Sequence, residues 1–403
     1  MTTSSATSAA SVPVHRLTRT LTLLLAFGAA VSVANLYYCQ PLLVLMGRTF
    51  HESSAQMGLI PTLTQIGYAV GLLLLTPLGD ALPKRGLIVT LSMLCALGLV
   101  AIAFSQSPFQ LAASSFVVGM ITIVPQIIVP LAANLAPPER RGQVIGTVMG
   151  GLLLGVLAAR MISGAVGEVL GWRAVYDVAA LVMVLLGVLM WLRLPKLPAQ
   201  WTMHYGALLA SLWGLLQKQP LLRQSSVIGG SLFGAFSVLW TVLAFRLSAS
   251  PYHFGSAVVG LFGLVGIAGA LGAPFTGRIA DRRGPYFMVG VGITLTLASY
   301  LDLLLGDGDL LLLIIGVLGL DFGIQASQIS NQARIYSLAP EARSRLNSVY
   351  MVAYFIGGAC GSALGSAAYG AWGWAGSCAT GLCFVLVALV AHLARRPAQT
   401  LIS

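Results

Sequence analysis

Charged side chains are scarce in this sequence of 403 residues. Lys, Arg, Asp and Glu make up 8% of it, against about 25% in ordinary globular domains, and the mean hydropathy is +0.89. A water-soluble protein with so few charges could not cover its surface with polar groups. Soluble, disordered and fibrous classes are therefore excluded, and we expect an all-α integral membrane protein with many spans.

Motifs for phosphate, metal and disulfide chemistry are also missing. None of the three lysines follows a glycine, as the phosphate-binding loop of an ATP-driven pump requires. There is no HExxH zinc motif, and the five cysteines lie in apolar runs without metal-binding spacing. We therefore expect no enzyme activity, no metal and no cofactor. Secondary transport driven by an ion gradient is the remaining economical interpretation.

Long apolar runs predict twelve transmembrane helices, which we number spans 1 to 12, because about 20 mostly apolar residues cross a bilayer. Their predicted limits are 20–46, 56–78, 86–106, 109–134, 144–166, 174–194, 224–246, 255–278, 286–306, 309–334, 347–369 and 376–394. The first apolar run is too long for a cleaved signal peptide.

The spans divide into two groups of six. We predict a disordered cytoplasmic tail at 1–19, a six-helix bundle over 20–194, a linker over 195–223, a second bundle over 224–394 and a cytoplasmic tail over 395–403. The linker contains MHYGALLASLWGLLQ, a pattern typical of an amphipathic helix on the membrane surface.

The net charge of +11 has a topological explanation. If the N-terminus is cytoplasmic, 18 of the 22 Lys and Arg fall in cytoplasmic segments, while Arg160 falls inside span 5. This positive-inside pattern predicts a multi-pass protein of a bacterial inner membrane with both termini cytoplasmic. We therefore expect no nucleic acid as a partner. The expected partners are the lipid bilayer, protons and a small-molecule substrate, and we expect the protein to be a monomer.

Three segments of the first half recur in the second half at an offset close to 202 residues, which indicates an internal duplication. TPLGDALPKRG (76–86) recurs as TGRIADRRG (276–284), LAPPERRGQVIGTVM (135–149) as LAPEARSRLNSVYM (338–351), and GW (171–172) as GW (373–374).

The segment from Gly277 to Gly284, GRIADRRG, matches the G-x-x-x-D-R-x-G loop of the major facilitator superfamily. The chain resembles that family over nearly its whole length after residue 20, and VANLYYCQPLL (33–43) and LLLGVLAARMISG (152–164) resemble its bacterial drug–proton antiporter branch. The resemblance implies two pseudo-symmetric six-helix bundles around a midplane cavity that opens to each side in turn.

The resemblance also implies gating loops after spans 2 and 8. In the family, the loop aspartate caps a neighbouring helix end and pairs with arginine across the interface between the halves. The matching residues here are Asp80, Lys84, Arg85, Asp281, Arg282 and Arg283. The first loop is degenerate, because Thr76 stands where the family has glycine.

A polar stripe follows span 10. Asp321, Gln325, Gln328 and Gln332 stand at i, i+4, i+7 and i+11, on one face of a helix. A carboxylate near the bilayer midplane costs roughly 2.5–3.5 kcal/mol on insertion scales, so the stripe cannot face lipid. We expect Asp321 to carry protons or to bind a cationic substrate; the alternative is a hydrogen-bonded carboxylate that packs helices.

Other polar and aromatic side chains fall inside spans, where each could line the same cavity or hold helices together. They are Asn35, Tyr38, Gln40, Gln65, Tyr68, Gln126, Trp240 and Tyr354. Arg160 could extend to the outer headgroups, pair with Asp177 or Glu168, or bind a substrate anion.

We expect the chain to be a secondary active transporter, most simply one that exports small amphipathic or hydrophobic compounds in exchange for protons. Span 5 has Gly151 and Gly155 but lacks the proline that follows the second glycine in the family's antiporter motif. Proton-coupled import of a sugar, amino acid or organic acid is therefore the alternative. A ligand-binding membrane sensor is a third, although the tails and linker are too short for a sizeable output domain.

Overall fold

The computed structural model describes residues 18–195, 205–271, 273–339 and 342–394. Within these ranges the chain forms α-helices and short 3-10 turns, without a strand. Nine of the helices described there are long and apolar enough to cross a bilayer. They are Ser54–Leu74, Lys84–Ala103, Pro108–Leu135, Arg141–Leu170, Trp172–Arg193, Pro220–Ser248, Pro285–Leu305, Leu310–Tyr336 and Arg343–Leu393.

The remaining spans are broken or fused helices. Span 1 is a helix over Arg19–Ala34 that resumes, after a 3-10 turn containing Pro41, over Leu43–Phe50; proline interrupts a helix because it lacks an N–H group. Span 8 consists of Ser256–Leu271 and Ala273–Arg283. Spans 11 and 12 follow each other directly over Arg343–Leu393, and the chain turns between them at Gly373. The φ angle of 63° at this residue favours glycine. The prediction of twelve spans in two bundles is confirmed.

Corresponding helices pack in the same way within each bundle. Gly155 of span 5 lies against the backbone of Ala30 in span 1, and Gly361 of span 11 lies against the backbone of Gly234 in span 7. A methyl group at either glycine would overlap the facing helix. The shared dependence on small residues is the packing expected of helices in lipid, and it repeats the duplication seen in the sequence.

The two bundles contact each other mainly at one end. We call the end where spans 1, 5 and 11 begin the inner end, and the opposite end the outer end. Near the outer end, Gly164 of span 5 packs on Gly260 of span 8, and Gly58, at the start of span 2, packs on Ser366 of span 11. The bundles are therefore closed together at the outer end; that the inner end is cytoplasmic stays a prediction.

A helix over Tyr205–Lys218 lies between the bundles in the chain, within the predicted linker. The hydroxyl of Tyr205 donates a hydrogen bond to the carbonyl of Leu74, at the inner end of span 2, over 2.7 Å. Trp213 is 63% exposed. The position of this helix on a membrane surface stays a prediction. Residues 1–17 and 395–403, which make up most of the two predicted tails, lie outside the described residues.

Candidate substrate cavity

A cavity of about 600 Å³ lies between the bundles. It extends from Arg160 and Asp321 in the middle of the molecule to Arg343 and Ser344, whose side chains are exposed at the inner end. The cavity is closed beyond Arg160, where spans 5 and 8 pack together. Its opening is therefore at the inner end alone among the described parts of the molecule.

The cavity wall has a polar side and an apolar side. The polar side is the stripe of span 10, where Gln325, Gln328 and Gln332 follow Asp321. The apolar side comes mainly from spans 4 and 5, through Val129, Met149, Leu152, Leu153, Val156 and Leu157. A wall of this composition can hold an apolar body and orient a few polar groups.

Asp321 lies at the deep end of the cavity and is 6% exposed. Its Oδ1 accepts a hydrogen bond from Nε1 of Trp240 in span 7 over 3.1 Å. Span 8 passes close to its other oxygen, because a Cβ on Gly266 would lie 2.7 Å from Oδ2. A methyl group at that position would meet the carboxylate, which would have to shift.

Arg160 faces Asp321 from the other bundle and is 2% exposed. Its Nε donates to Oε1 of Gln40 over 2.6 Å, and its Cζ lies 3.8 Å from the centre of the Trp240 ring and 4.9 Å from that of Tyr37. The structure therefore places this side chain in the cavity wall and not at the outer headgroups. Glu168, a partner considered for it, accepts instead from the backbone N–H of Ala257.

Trp240 connects the two charges. One face of its indole lies against Arg160 of the first bundle, while its N–H group binds Asp321 of the second. The sequence singled out these three residues individually. Their contact needed the tertiary structure, since they lie on spans 5, 7 and 10. Phe236, one turn before Trp240, also lies near the guanidinium, at 5.6 Å, and was missed because an isolated phenylalanine in an apolar span carries no signal.

Several other predicted residues lie on the cavity wall. Tyr68 and Gln126 meet there, with the amide of Gln126 donating to the tyrosine hydroxyl over 3.1 Å. Tyr354 donates to Oε1 of Gln328 over 3.1 Å and stacks on Phe233 with 4.0 Å between ring centres. These contacts fix the polar groups in place along the cavity.

Asn35 and Tyr38 do not line the cavity, although both were candidates for it and would lie on one face of a regular helix. The helix ends at Ala34, so the two residues no longer follow one regular helix. Asn35 is buried with its amide 3.4 Å from Sγ of Cys95 in span 3, and Tyr37 takes the place predicted for Tyr38.

Gln65 contacts the opposite bundle instead of lining the cavity. Its Nε2 donates to Oγ of Ser362 over 3.2 Å, and its Oε1 accepts from Oγ of Ser237 over 3.4 Å. All three side chains are buried. Gln65 thus joins span 2 of the first bundle to spans 7 and 11 of the second.

The predicted gating loops lie at the inner end. Lys84 and Arg85 begin span 3, and Arg85 lies 4.5 Å from the ring of Trp191 in span 6. Arg282 and Arg283 end the second helix of span 8, and Arg283 lies 5.3 Å from the ring of Phe287. The side chains of Asp80 and Asp281 are outside the described part of the structure, so their capping and pairing stay predictions.

Twelve spans in two bundles around a cavity open at one end define a membrane transporter. The family model of the Major Facilitator Superfamily matches residues 25–333 and 252–401. The chain therefore belongs to this superfamily.

Relatives and solved structures agree with this assignment. The chain is 42% identical to the uncharacterized transporter YgaY of Escherichia coli O157:H7, over 94% of this chain and 96% of the relative. It is 24% identical to a protein of Helicobacter pylori named as a probable sugar efflux transporter, over 80% and 81%. A bacterial homologue of the human lysosomal transporter Spinster, in an inward-facing and unoccupied conformation, has the same fold, with a TM-score of 0.74, 16% identity and coverage of 92% and 94%.

Proposed function

We propose that this protein is a proton-coupled exporter of small amphipathic compounds that works by alternating access. The observation that carries the proposal is a carboxylate, Asp321, buried at the deep end of a cavity with one apolar and one polar wall. An ionisable group at such a depth marks an ion or substrate pathway by default.

Asp321 is the proton-carrying group in this proposal. It is the only carboxylate among the described residues that line the cavity. Trp240 donates to one oxygen, which stabilises the ionised form, while burial among apolar side chains favours the neutral form. These opposed effects suit a group that must both release and accept a proton in one transport cycle.

Alternating access in this proposal rests on the two contacts between the bundles. Span 5 packs on span 8, and span 2 packs on span 11. These two contacts close the outer end, where small residues let the helices approach each other. Separation of these pairs, with closure at the gating loops, would expose the same cavity to the other side. The four predicted loop cations at Lys84, Arg85, Arg282 and Arg283 lie at the end that would close.

Export is supported by the resemblance to the antiporter branch and by the name of the Helicobacter pylori relative. A second candidate, proton-coupled import, is favoured by Arg160. A permanent cation beside a carboxylate that takes up protons makes binding of a proton and of an anion mutually favourable. Solutes that bind together with the proton would then cross together with it.

The test is Asp321→Asn in liposomes that contain a pH-sensitive dye. We expect the variant to insert and fold but to lose proton flux driven by solute, because asparagine does not titrate. Asp177→Asn, an exposed aspartate of span 6, is the matched control and should transport normally. Proton flux in Asp321→Asn equal to wild type would contradict the assignment. The sign of the flux separates export from import.

A further inference from the structure

We propose that Arg160 binds the anionic oxygen group of the substrate, so that the cavity takes amphipathic organic acids. This inference rests on the proposed function in taking the cavity as the transport site. Within that function it favours the second candidate, proton-coupled import, because an acid that binds together with the proton crosses together with it. It concerns a side chain that the proton-carrying role of Asp321 does not use.

The first observation is that the guanidinium of Arg160 is buried but largely unpaired. Only Nε has a hydrogen-bond partner among the described residues, the side-chain oxygen of Gln40. Among the described residues, Nη2 is fully buried without an acceptor, while Nη1 is not fully buried and forms no hydrogen bond. Buried donors nearly always have partners in folded proteins, so Nη2 lacks an acceptor that the described residues do not supply. Nη1 is left as a donor that can meet a bound molecule.

The second observation concerns Asp321, the carboxylate that could have filled this role. It accepts from Trp240, and no ion pair within 4.0 Å joins it to Arg160 in the described part of the chain. The indole ring lies against the guanidinium, with 3.8 Å between Cζ and the ring centre. The charge of Arg160 is therefore balanced by Asp321 only at a distance, without a direct ion pair.

The geometry matches a carboxylate. Arginine presents its terminal nitrogens in a planar fork that binds two oxygens at once, and such charge-assisted bonds are roughly twice as strong as neutral ones. The rings of Tyr37 and Trp240 and the amide of Gln40 hold the fork in position. An acid head group at Arg160 would leave its apolar body beside Leu152, Leu153 and the open end of the cavity.

The proposal links substrate and proton. The titratable or charged groups around this pair, among the described residues, are Tyr37 and Cys39 of span 1, Asp321 of span 10 and Tyr354 of span 11. Protonation of Asp321 removes the nearest negative charge from Arg160. An organic acid should therefore bind more tightly when Asp321 is protonated, and by reciprocity the acid should favour the proton.

The experiment measures the affinity of purified protein in lipid nanodiscs for three probes that share one apolar body. Phenylbutyrate, phenylbutanol and phenylbutylamine differ only in the head group. We expect the acid to bind at least about 10-fold more tightly than the alcohol or the amine, the scale of one or two hydrogen bonds to a charged group. Arg160→Gln should abolish this preference, and Arg160→Lys, which keeps the charge but not the fork, should keep part of it.

Equal affinity for the three probes, no binding of any of them, or undiminished preference for the acid in folded Arg160→Gln would overturn the proposal. If that variant does not fold, the ranking of the probes by the wild-type protein decides alone. The proposed function fails separately, through normal proton flux in Asp321→Asn. Selective binding of phenylbutyrate together with normal proton flux in Asp321→Asn would thus support the anion site at Arg160 and reject Asp321 as the proton-carrying group.

Discussion

Replacing Gln65 with alanine should shift the protein towards a conformation that is open at the outer end. Gln65 belongs to the first bundle, whereas its partners Ser362 and Ser237 belong to the second. The two hydrogen bonds can exist only while span 2 is in contact with spans 7 and 11. When the outer end opens, water can replace both partners, so the open conformation loses nothing by the substitution.

The magnitude follows from these bonds. Each contributes about 0.5–1.5 kcal/mol net, so removing both weakens the outer closure by about 1–3 kcal/mol. A change of that size alters the ratio of two conformations by about 5- to 150-fold. Alanine is the better substitution, because leucine would add apolar surface to the closed interface and oppose the effect.

The assay is a distance measurement by electron paramagnetic resonance in nanodiscs. Spin labels are placed at the outer ends of opposite bundles, at Val169 of span 5 and Leu305 of span 9, which are 81% and 84% exposed. The native cysteines, of which Cys360 and Cys383 are exposed, are first replaced. We expect a longer distance to gain population in Gln65→Ala.

Gln126→Ala is the matched control for Gln65→Ala. Gln126 is also a glutamine of the first bundle with a side-chain partner, but that partner, Tyr68, lies in the same bundle. Its loss should leave the distance distribution unchanged. An unchanged distribution in Gln65→Ala, or an equal change in both variants, would refute the idea that the contact between bundles sets the equilibrium.

Two further substitutions test the ends of the same movement. Glu168→Gln removes a negative charge from the N-terminal end of span 8, where Glu168 accepts a hydrogen bond from the backbone N–H of Ala257. A negative charge at a helix N-terminus contributes about 0.3–1 kcal/mol, so the outer-open population should rise by at most about five-fold in the same distance measurement. A fall in that population would contradict the role of Glu168 in holding the outer end closed. Asp281→Asn should slow transport and favour the inward-open conformation, as the family resemblance implies; normal turnover and distances would remove the proposed latch at that loop.

The sequence carried most of the fold because the bilayer limits what a chain can do. Apolar runs of about 20 residues must become helices in lipid, since only a helix satisfies its own backbone groups there. The breaks between runs, together with the duplicated TGRIADRRG segment, then determined twelve spans in two halves. Errors arose within spans, as between Ala34 and Gln40, where a break in span 1 places Tyr37 in the position expected for Tyr38.

The candidate site was only partly predictable for a different reason. Asp321 stood out because a carboxylate in an apolar run is costly wherever it lies, and its stripe of glutamines repeats at helical spacing. The sequence could not say whether Gln65 lined the cavity or joined the bundles, because both roles need a buried amide. The structure separated them by showing its partner on span 11.

The sequence by itself determined that this chain is a membrane protein of two related halves with an ionisable group in a late span. Composition and periodicity along one helix are local properties, and the bilayer turns them directly into structure. Only the tertiary structure decided that Arg160, Trp240 and Asp321 meet and that the cavity is open at the inner end. Such contacts join spans far apart in the chain. They depend on how helices pack within the second bundle and on how the two bundles meet, which no single span encodes.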